Sequence, residues 1–495
     1  MMPKWLWPGP FLPGAIIGGL LALGHAPFEQ LWIVFPALVA FAYFWAANSR
    51  SVKHAALSGW IVGVFYFGIT LSWIINPFLV DPEKHAWMAP FALILLPSGL
   101  ALIWAAGFAL ARRFIAGPSS WALGLIWAEC ARAYLFTGFS WANFASFYVN
   151  TLISQVVPWI GALGLSVVLV VLVSKLAIAS SKTGTLVAIG LMTVLTLLPK
   201  EAGILPEDGP LVRMVQPNAE QADKWDPEKA PIIYQRLLRA TKADPIPDVV
   251  IWPESALPYL LEYAEPILQE VALSGRGAQI ITGINRSEDK RFYNSLISVN
   301  PDGSVAQVYD KRHLVPFGEY IPFGEFFARF GIYGLAPSQG FGFVAGTSQK
   351  LIDIPKVGTA VPLICYEGLF PRLAKIQGDA RFILLITNDA WFGPDAGPKQ
   401  HLVQSQLRAL EQGLPLVRVA NTGVTALIDH NGHIVADLPM NESGHLDVIL
   451  PPKLANAPLF SRYGEWPILI YILLSSARGV VGSKKNKIDH GDIYG

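Results

Sequence analysis

Two cysteines in 495 residues leave no disulfide framework for this chain. Charge is scarce too: Lys, Arg, Asp and Glu make up 15% of residues, against roughly 25% in soluble proteins. The shortage is local, because only 14 of the 73 charged side chains fall within the first 200 residues. The first part therefore reads as lipid-dissolved and the remainder as mostly water-dissolved. A net charge of +1 gives no basic surface for nucleic acid. The nine histidines are scattered without zinc-site spacing, and no Gly-rich phosphate loop stands between a strand and a helix. No metal and no cofactor is expected.

What the chain has in abundance is apolar sequence. Runs long enough to cross a bilayer, about 20 residues each, recur near 10–26, 31–47, 55–75, 88–111, 120–137, 155–178 and 183–199. The alternative, a soluble buried bundle, is hard to reconcile with seven such runs. The first run follows Lys4 but leads straight into further spans, so it reads as an anchor and not a cleaved signal. Its glycines, Gly14, Gly18, Gly19 and Gly24, suit close helix packing.

Basic residues then set an orientation. Lys4, Arg50 with Lys53, Arg112 with Arg113, and Lys175 with Lys182 fall in every second connection, whereas the alternate connections hold only Lys84. The positive-inside rule places the N-terminus in the cytoplasm. Seven crossings deliver the chain after Lys200 to the outer side. An eighth run near 459–480 returns it, followed by Lys484, Lys485 and Lys487. The expected fold class is α/β plus membrane α-helical, with the α/β domain inserted between the seventh and eighth of eight transmembrane helices. The expected domains are a seven-span unit at 1–203, an extracytoplasmic catalytic domain at 204–455, and a last span with a basic tail at 456–495.

Within the fifth run, Glu129 and Arg132 lie three apart on one helical face. Charges at membrane depth mark either a pathway or an internal ion pair, and the pair is the simpler expectation. Cys130 reads as an inert buried thiol. The aromatic segment FTGFSWANFASFY suits a membrane-surface loop near a lipid opening.

From Gly209 short apolar runs alternate with loops: LVRMVQ, DVVIWPE, AQIITGIN, NSLISVN, VAQVYD, RFILLITND, LVRVAN, VTALID and HIVADL. Amphipathic stretches such as APIIYQRLLRATK and HLVQSQLRALEQG lie between them. The mixture predicts a layered α/β domain of about 240 residues. A hairpin over 298–307 turns on Pro301-Asp302-Gly303.

Three motifs here carry chemistry. Trp252-Pro253-Glu254 follows a strand, and the proline ends ladder pairing and turns Glu254 outward, although an exposed loop glutamate is the simpler reading. Tyr309-Asp310-Lys311-Arg312-His313, then VPFGEYIP, sets Lys311 and Glu319 eight residues apart around an aromatic loop; a solvated charge patch would look the same. VPLICYEGLF presents Cys365 at the end of a buried strand, with Glu367-Gly368 turning the chain away. Cys365 alone is more simply read as a buried structural thiol. Taken together, the motifs supply a base for the thiol proton, a cation for an oxyanion, and a thiol that can form an acyl-enzyme.

Glu, Lys and Cys in this order at strand ends resemble the nitrilase (carbon–nitrogen hydrolase) superfamily. The WPE, DKRHLVPFGEYIP and ICYE segments among membrane spans resemble its apolipoprotein N-acyltransferase family. That resemblance implies an αββα sandwich in the periplasm of a bacterial inner-membrane protein. It implies Glu254 as general base, Lys311 as the oxyanion-stabilising residue and Cys365 as nucleophile. It also implies supporting roles for Glu319, Tyr366 and Glu367, and a substrate-loop role for Trp225. The implied reaction moves an acyl chain from a phospholipid, typically phosphatidylethanolamine, through a Cys thioester to a diacylglyceryl apolipoprotein, with no cofactor. A monomer is expected.

The stretch 323–346, aromatic and Gly-rich, is expected to form an apolar lid, with an ordinary packed Ω-loop as the alternative. Asn388, Asp389 and Trp391 either line the same cleft or make a structural turn. Two rival functions share the sequence: a membrane-tethered amidase using water, and a transport or lipid-binding protein with an inactive domain.

Overall fold

The structure, a computed structural model, describes residues 10–115, 117, 119–178, 182–198, 206–322, 326, 329, 342–348 and 350–491. Two compact units divide the chain: Met1–Ile75, Met88–Glu201 and Arg462–Gly495 form one, and Asn76–Trp87 with Ala202–Ser461 form the other.

In the first unit each apolar run is a helix. These are α1 (Phe11–Ala22), α2 (Leu31–Asn48), α3 (Val52–Thr70), α5 (Ala89–Phe114), α6 (Ser119–Tyr134), α7 (Val157–Ile178), α8 (Lys182–Leu197) and, after the second unit, α13 (Trp466–Gly491). A short α4 (Pro82–His85) precedes α5, and a short α12 (Leu459–Tyr463) precedes α13. Among the described residues five segments are long and apolar enough to cross a membrane: Leu31–Asn48, Val52–Thr70, Pro82–Phe114, Leu152–Ala177 and Trp466–Ser483. Phe11–Ala22 and Thr183–Leu197 are shorter apolar helices, and α6 has 16 residues.

The close approach of α1 to α3 depends on glycine. A Cβ at Gly18 would stand 2.3 Å from the Val62 carbonyl oxygen, so any side chain there would separate the helices. Ser51 caps α3, its hydroxyl accepting the His54 N–H.

Glu129 and Arg132 are buried and paired in this unit. Trp104 Nε1 donates to Glu129 at 2.8 Å, and Arg132 also donates to the carbonyls of Phe139 and Trp141. Every charge is answered by protein groups, which is the arrangement of a structural ion pair. The segment after them departs from the expected surface loop. Trp141, Phe144, Phe147 and Tyr148 are buried, because the Arg132 guanidinium draws the loop backbone inward and its rings fill the space between helices.

The second unit is built on two six-strand paths. The first runs β13-β1-β2-β4-β5-β6, with β3 (Leu257–Leu260) beside β4; the second runs β12-β11-β10-β9-β8-β7. In the first, β1 (Leu211–Gln216), β2 (Val249–Ile251) and β4 (Gln279–Glu288) are parallel. Around them β5 (Arg291–Val299), β6 (Val305–Asp310) and β13 (Gly444–Ile449) pair antiparallel. In the second, β8 (Gly358–Ile364), β9 (Phe382–Thr387) and β10 (Leu416–Ala420) are parallel. They are flanked by β7 (Ile352–Ile354), β11 (Thr425–Ile428) and β12 (Ile434–Leu438).

Val212, Met214, Ile251, Ile281 and Leu296 of one sheet meet Ile364, Leu384, Ile386, Val417 and Val419 of the other in a single core. Helices α9 (Ala230–Thr241) and α10 (Glu265–Ser274) cover the outer face of the first sheet through Leu237, Leu238, Leu268 and Val271. Helix α11 (Ala396–Gln412) packs on the second sheet beside β10. The layers are thus helix, sheet, sheet, helix. Strands β8 and β9 read as unbroken apolar runs because both their faces are buried.

The hairpin on Pro301-Asp302-Gly303 forms as expected, with Asn300 N–H bonded to the Ser304 carbonyl and Gly303 at φ +86°. Strands β3, β7 and β13 and helix α10 were not anticipated. In β13 the polar His445 and Asp447 break the apolar pattern, and Asp447 is held by Arg213. The stretch 323–346 lies largely outside the described residues.

Candidate active site

The site forms where strands of both sheets end. Glu254 follows β2, Lys311 follows β6, Cys365 follows β8 and Asn388 follows β9. In open sheets such carboxyl-terminal strand edges are where ligands are taken up. The turn after β2 is fixed by Trp252, whose N–H bonds to Ile281 and whose ring is fully buried. Glu254 is buried, only 5% exposed, so the outward exposed position open to it in the sequence is not the one it takes. Gly283 makes this possible, since a Cβ there would lie 2.5 Å from the Ser255 nitrogen and 2.7 Å from Glu254 Cα.

The side chains converge. Lys311 Nζ stands 3.3 Å from Glu254 Oε1 and 2.9 Å from Glu319 Oε1. Asn294 Nδ2 donates to the same two oxygens, at 2.7 and 3.0 Å. Asn388 N–H donates to Glu254 Oε2, and Val315 N–H to Glu319 Oε2. Lys224 places a second buried ammonium nearby, donating to the Glu254 carbonyl oxygen at 3.2 Å. Two carboxylates therefore face two buried lysines.

Cys365 opens the 3₁₀ turn Cys365–Leu369 with φ +50°, a left-handed conformation that costs a non-glycine residue about 1 kcal/mol. Strain of this kind collects at functional turns. Burial pushes the thiol well above its ordinary pKa; Glu254 adds to the rise, while Lys311 and a Thr387 hydrogen bond pull it back. The resting thiol is thus protonated and needs a base. Burial would lower Lys311, but Glu254, Glu319 and Cys365 outweigh it and hold the ammonium above its usual range. Lys224 is lowered to about 8 by burial, against the pull of Glu254.

Glu367 braces the Cys365 turn. Its carboxyl accepts the N–H groups of Ile364, Arg312 and His313 and the Tyr309 hydroxyl, joining the Lys311 loop to the Cys365 turn. Burial pushes it up to about 7, against the pull of those donors. Tyr366 is buried against Phe370, whereas Trp225 is 53% exposed.

A fully buried cluster supports the turn from the other side. His401 Nε2 donates to the Cys365 carbonyl at 3.2 Å, and its Nδ1 lies 2.9 Å from Asp389, which is paired with Arg418. Asp389 is thus a structural anchor and not a cleft residue, while Asn388 does join the site through its backbone. Asn294, Lys224, His401 and Arg418 were not singled out in the sequence. Asn294 had a signal, as a polar residue inside the apolar strand FYNSLISV. The other three had none in one dimension.

Residues 17–174 match the apolipoprotein N-acyltransferase N-terminal domain, and residues 211–456 match the carbon–nitrogen hydrolase family. An apolipoprotein N-acyltransferase of Brucella melitensis is 35% identical over 95% of this chain and 95% of its own. The chain belongs to the apolipoprotein N-acyltransferase family. The resemblance carried by WPE, DKRHLVPFGEYIP and ICYE therefore holds. A second member, from Rhodopseudomonas palustris, is 36% identical over 93% of this chain and 92% of its own. Among solved structures, an amidase from Nesterenkonia sp. AN1 aligns at 17% identity and a TM-score of 0.38, over 50% of this chain and 94% of its own.

Proposed function

We propose that this chain moves an acyl group from a phospholipid, with phosphatidylethanolamine as the donor, onto Cys365. From there the group passes to the α-amine of an S-diacylglyceryl-cysteine at an apolipoprotein N-terminus. The observation that carries the reading is a buried thiol on a left-handed turn at the end of β8, with the buried Glu254–Lys311 pair at the neighbouring strand ends.

Glu254 takes the thiol proton as sulfur attacks the ester carbonyl, and then gives it to the departing lysophospholipid oxygen. Lys311, kept charged by two carboxylates, stabilises the oxyanion of each tetrahedral intermediate. The amine then attacks the thioester, losing a proton to Glu254, which returns it to sulfur. Glu319 holds Lys311, Glu367 holds the nucleophile turn, and Tyr366 packs beside it. Trp225 and Phe317, each exposed on a loop carrying a site residue, offer apolar contact to lipid chains.

The reading places eight spans in a bacterial inner membrane, with both termini cytoplasmic and the domain of residues 204–455 periplasmic between the seventh and eighth spans. The alternation of basic connections supports it. The helical region 1–203 and the tail 456–495 complete the division, and the protein acts as a monomer.

Intact-mass spectrometry after incubation with phosphatidylethanolamine tests the chemistry. The expected result is one acyl adduct, mapped to Cys365, released by hydroxylamine and discharged by a diacylglyceryl-peptide. A folded protein that forms no adduct in the presence of lipid overturns the reading.

A further inference from the structure

Strands β4 and β5 set Asn285 directly opposite Asn294. Both positions lie on the sheet face that carries Ile281 and Leu296 into the core between the sheets. That face also carries Gly283, over which Glu254 is seated. Asn294 is nearly fully buried, and its amide nitrogen is committed to Glu254 and Glu319. Two carboxylates on that nitrogen fix which way the amide points, because an amide oxygen there would meet only acceptors. Among the described residues its carbonyl oxygen is buried without a hydrogen-bond partner, and so is the side-chain oxygen of Asn285. A buried acceptor left unpaired is costly, and two on directly opposed residues, one of them bonded to Glu254, mark a place for a donor that arrives later.

We propose that the Asn294 and Asn285 side-chain oxygens form the seat of the acceptor amine. This rests on the two-step reading above and adds to it the group that receives the second substrate. The phospholipid ester brings no N–H to its reacting carbonyl, so the first half-reaction has no use for these acceptors. A neutral primary amine brings two N–H groups and a lone pair. One N–H faces Glu254, which takes its proton as the C–N bond forms. The other faces the amide oxygens, which accept a hydrogen bond but cannot remove a proton, so it is retained in the product amide. The lone pair is thereby aimed at the thioester carbon. The C–N bond forms, the C–S bond breaks, and the proton held by Glu254 passes to the leaving sulfur.

The test uses full-length enzyme carrying the thioester and compares two nucleophiles. One is a diacylglyceryl-cysteine peptide; the other is dithiothreitol, which discharges the thioester without an N–H. In Asn285→Leu the adduct still accumulates, and peptide discharge slows about tenfold relative to dithiothreitol discharge, the value of one hydrogen bond to the attacking group. Asn285→Gln, which keeps a carbonyl, recovers part of the ratio. An unchanged ratio, or equal slowing of both nucleophiles, overturns the proposal. So does loss of the adduct in both Asn285→Leu and Asn285→Ala, since the residue would then serve the first half-reaction or the fold. Absence of the adduct in the wild-type protein would instead overturn the reading of the function itself.

Discussion

Asn388 donates its backbone N–H to Oε2 of Glu254 at 2.9 Å, and this bond joins the end of β9 to the end of β2, strands of different sheets. The carboxylate proposed as base is thus held by the fold and not by the flexibility of its own side chain. Its other oxygen is shared by Asn294 and Lys311. A group fixed at both oxygens meets its substrate without reorganising, which is the condition for efficient proton transfer in a buried site.

Replacing that base separates two effects. In Glu254→Gln the rate of adduct formation is expected to fall at least about a hundredfold, as for loss of a general base. The thiol itself should ionise more readily, because the Glu254 charge is among the causes that raise it and Lys311 would stand less opposed. Iodoacetamide alkylation of Cys365 followed against pH reads this directly. The variant's profile should move to lower pH while acyl transfer is lost; a shift to higher pH would mean that Glu254 does not oppose the thiolate.

Glu319→Gln should act through Lys311. The substitution removes the charge 2.9 Å from Nζ and turns an amide N–H₂ toward either Lys311 and Asn294 or the Val315 N–H. Hydrogen bonds to charged groups are worth about 1.5–3 kcal/mol, so kcat/KM is expected to fall by about ten- to a hundredfold. Glu319→Asp, which keeps the charge on a shorter stem, should recover part of that loss. Steady-state acylation of a diacylglyceryl-peptide measures both.

Much of this site was legible in one dimension, for a physical reason. Glu254, Lys311 and Cys365 each follow an apolar strand and precede a turn, and that combination marks a side chain presented at a sheet edge. Glu319 was legible because it sits eight residues from Lys311 in the same loop. His401 and Arg418 were not, since one lies on a helix and the other inside the strand LVRVA, and only the packing of α11 on β10 brings them to Asp389. Lys224 was hidden by its exposed neighbour Trp225. The eight apolar runs were plain because helices without a polar face must spell their burial in composition. The inward course of residues 139–148 was not, because it depends on carbonyls binding the Arg132 side chain, and carbonyls are common to every residue.

The Asp389–His401–Arg418 cluster predicts a stability effect distinct from catalysis. Arg418→Met leaves Asp389 buried beside a histidine with its main counter-charge gone. Breaking a buried pair in this way costs about 3–5 kcal/mol. For a domain of this size that corresponds to a fall in Tm of about 6–20 °C, read by thermal unfolding of the purified protein in detergent. Asp389→Leu combined with Arg418→Met should be less destabilised than Arg418→Met alone, because no charge is then left unpaired.

The proposed topology makes a prediction independent of the chemistry. Ser443 lies exposed between β12 and β13, and Lys53 is exposed at the start of α3. The native thiols are poor targets, Cys365 being buried and Cys130 partly so. Ser443→Cys should therefore react with a membrane-impermeant maleimide on intact spheroplasts, and Lys53→Cys only after the membrane is opened. The basis is the placement of Arg50 and Lys53 in one connection and the near absence of basic residues from the next, since cationic side chains near span ends are retained in the cytoplasm. Labelling of Lys53→Cys in intact spheroplasts, with Ser443→Cys protected, would invert the orientation. It would put the thioester site on the side opposite the one proposed.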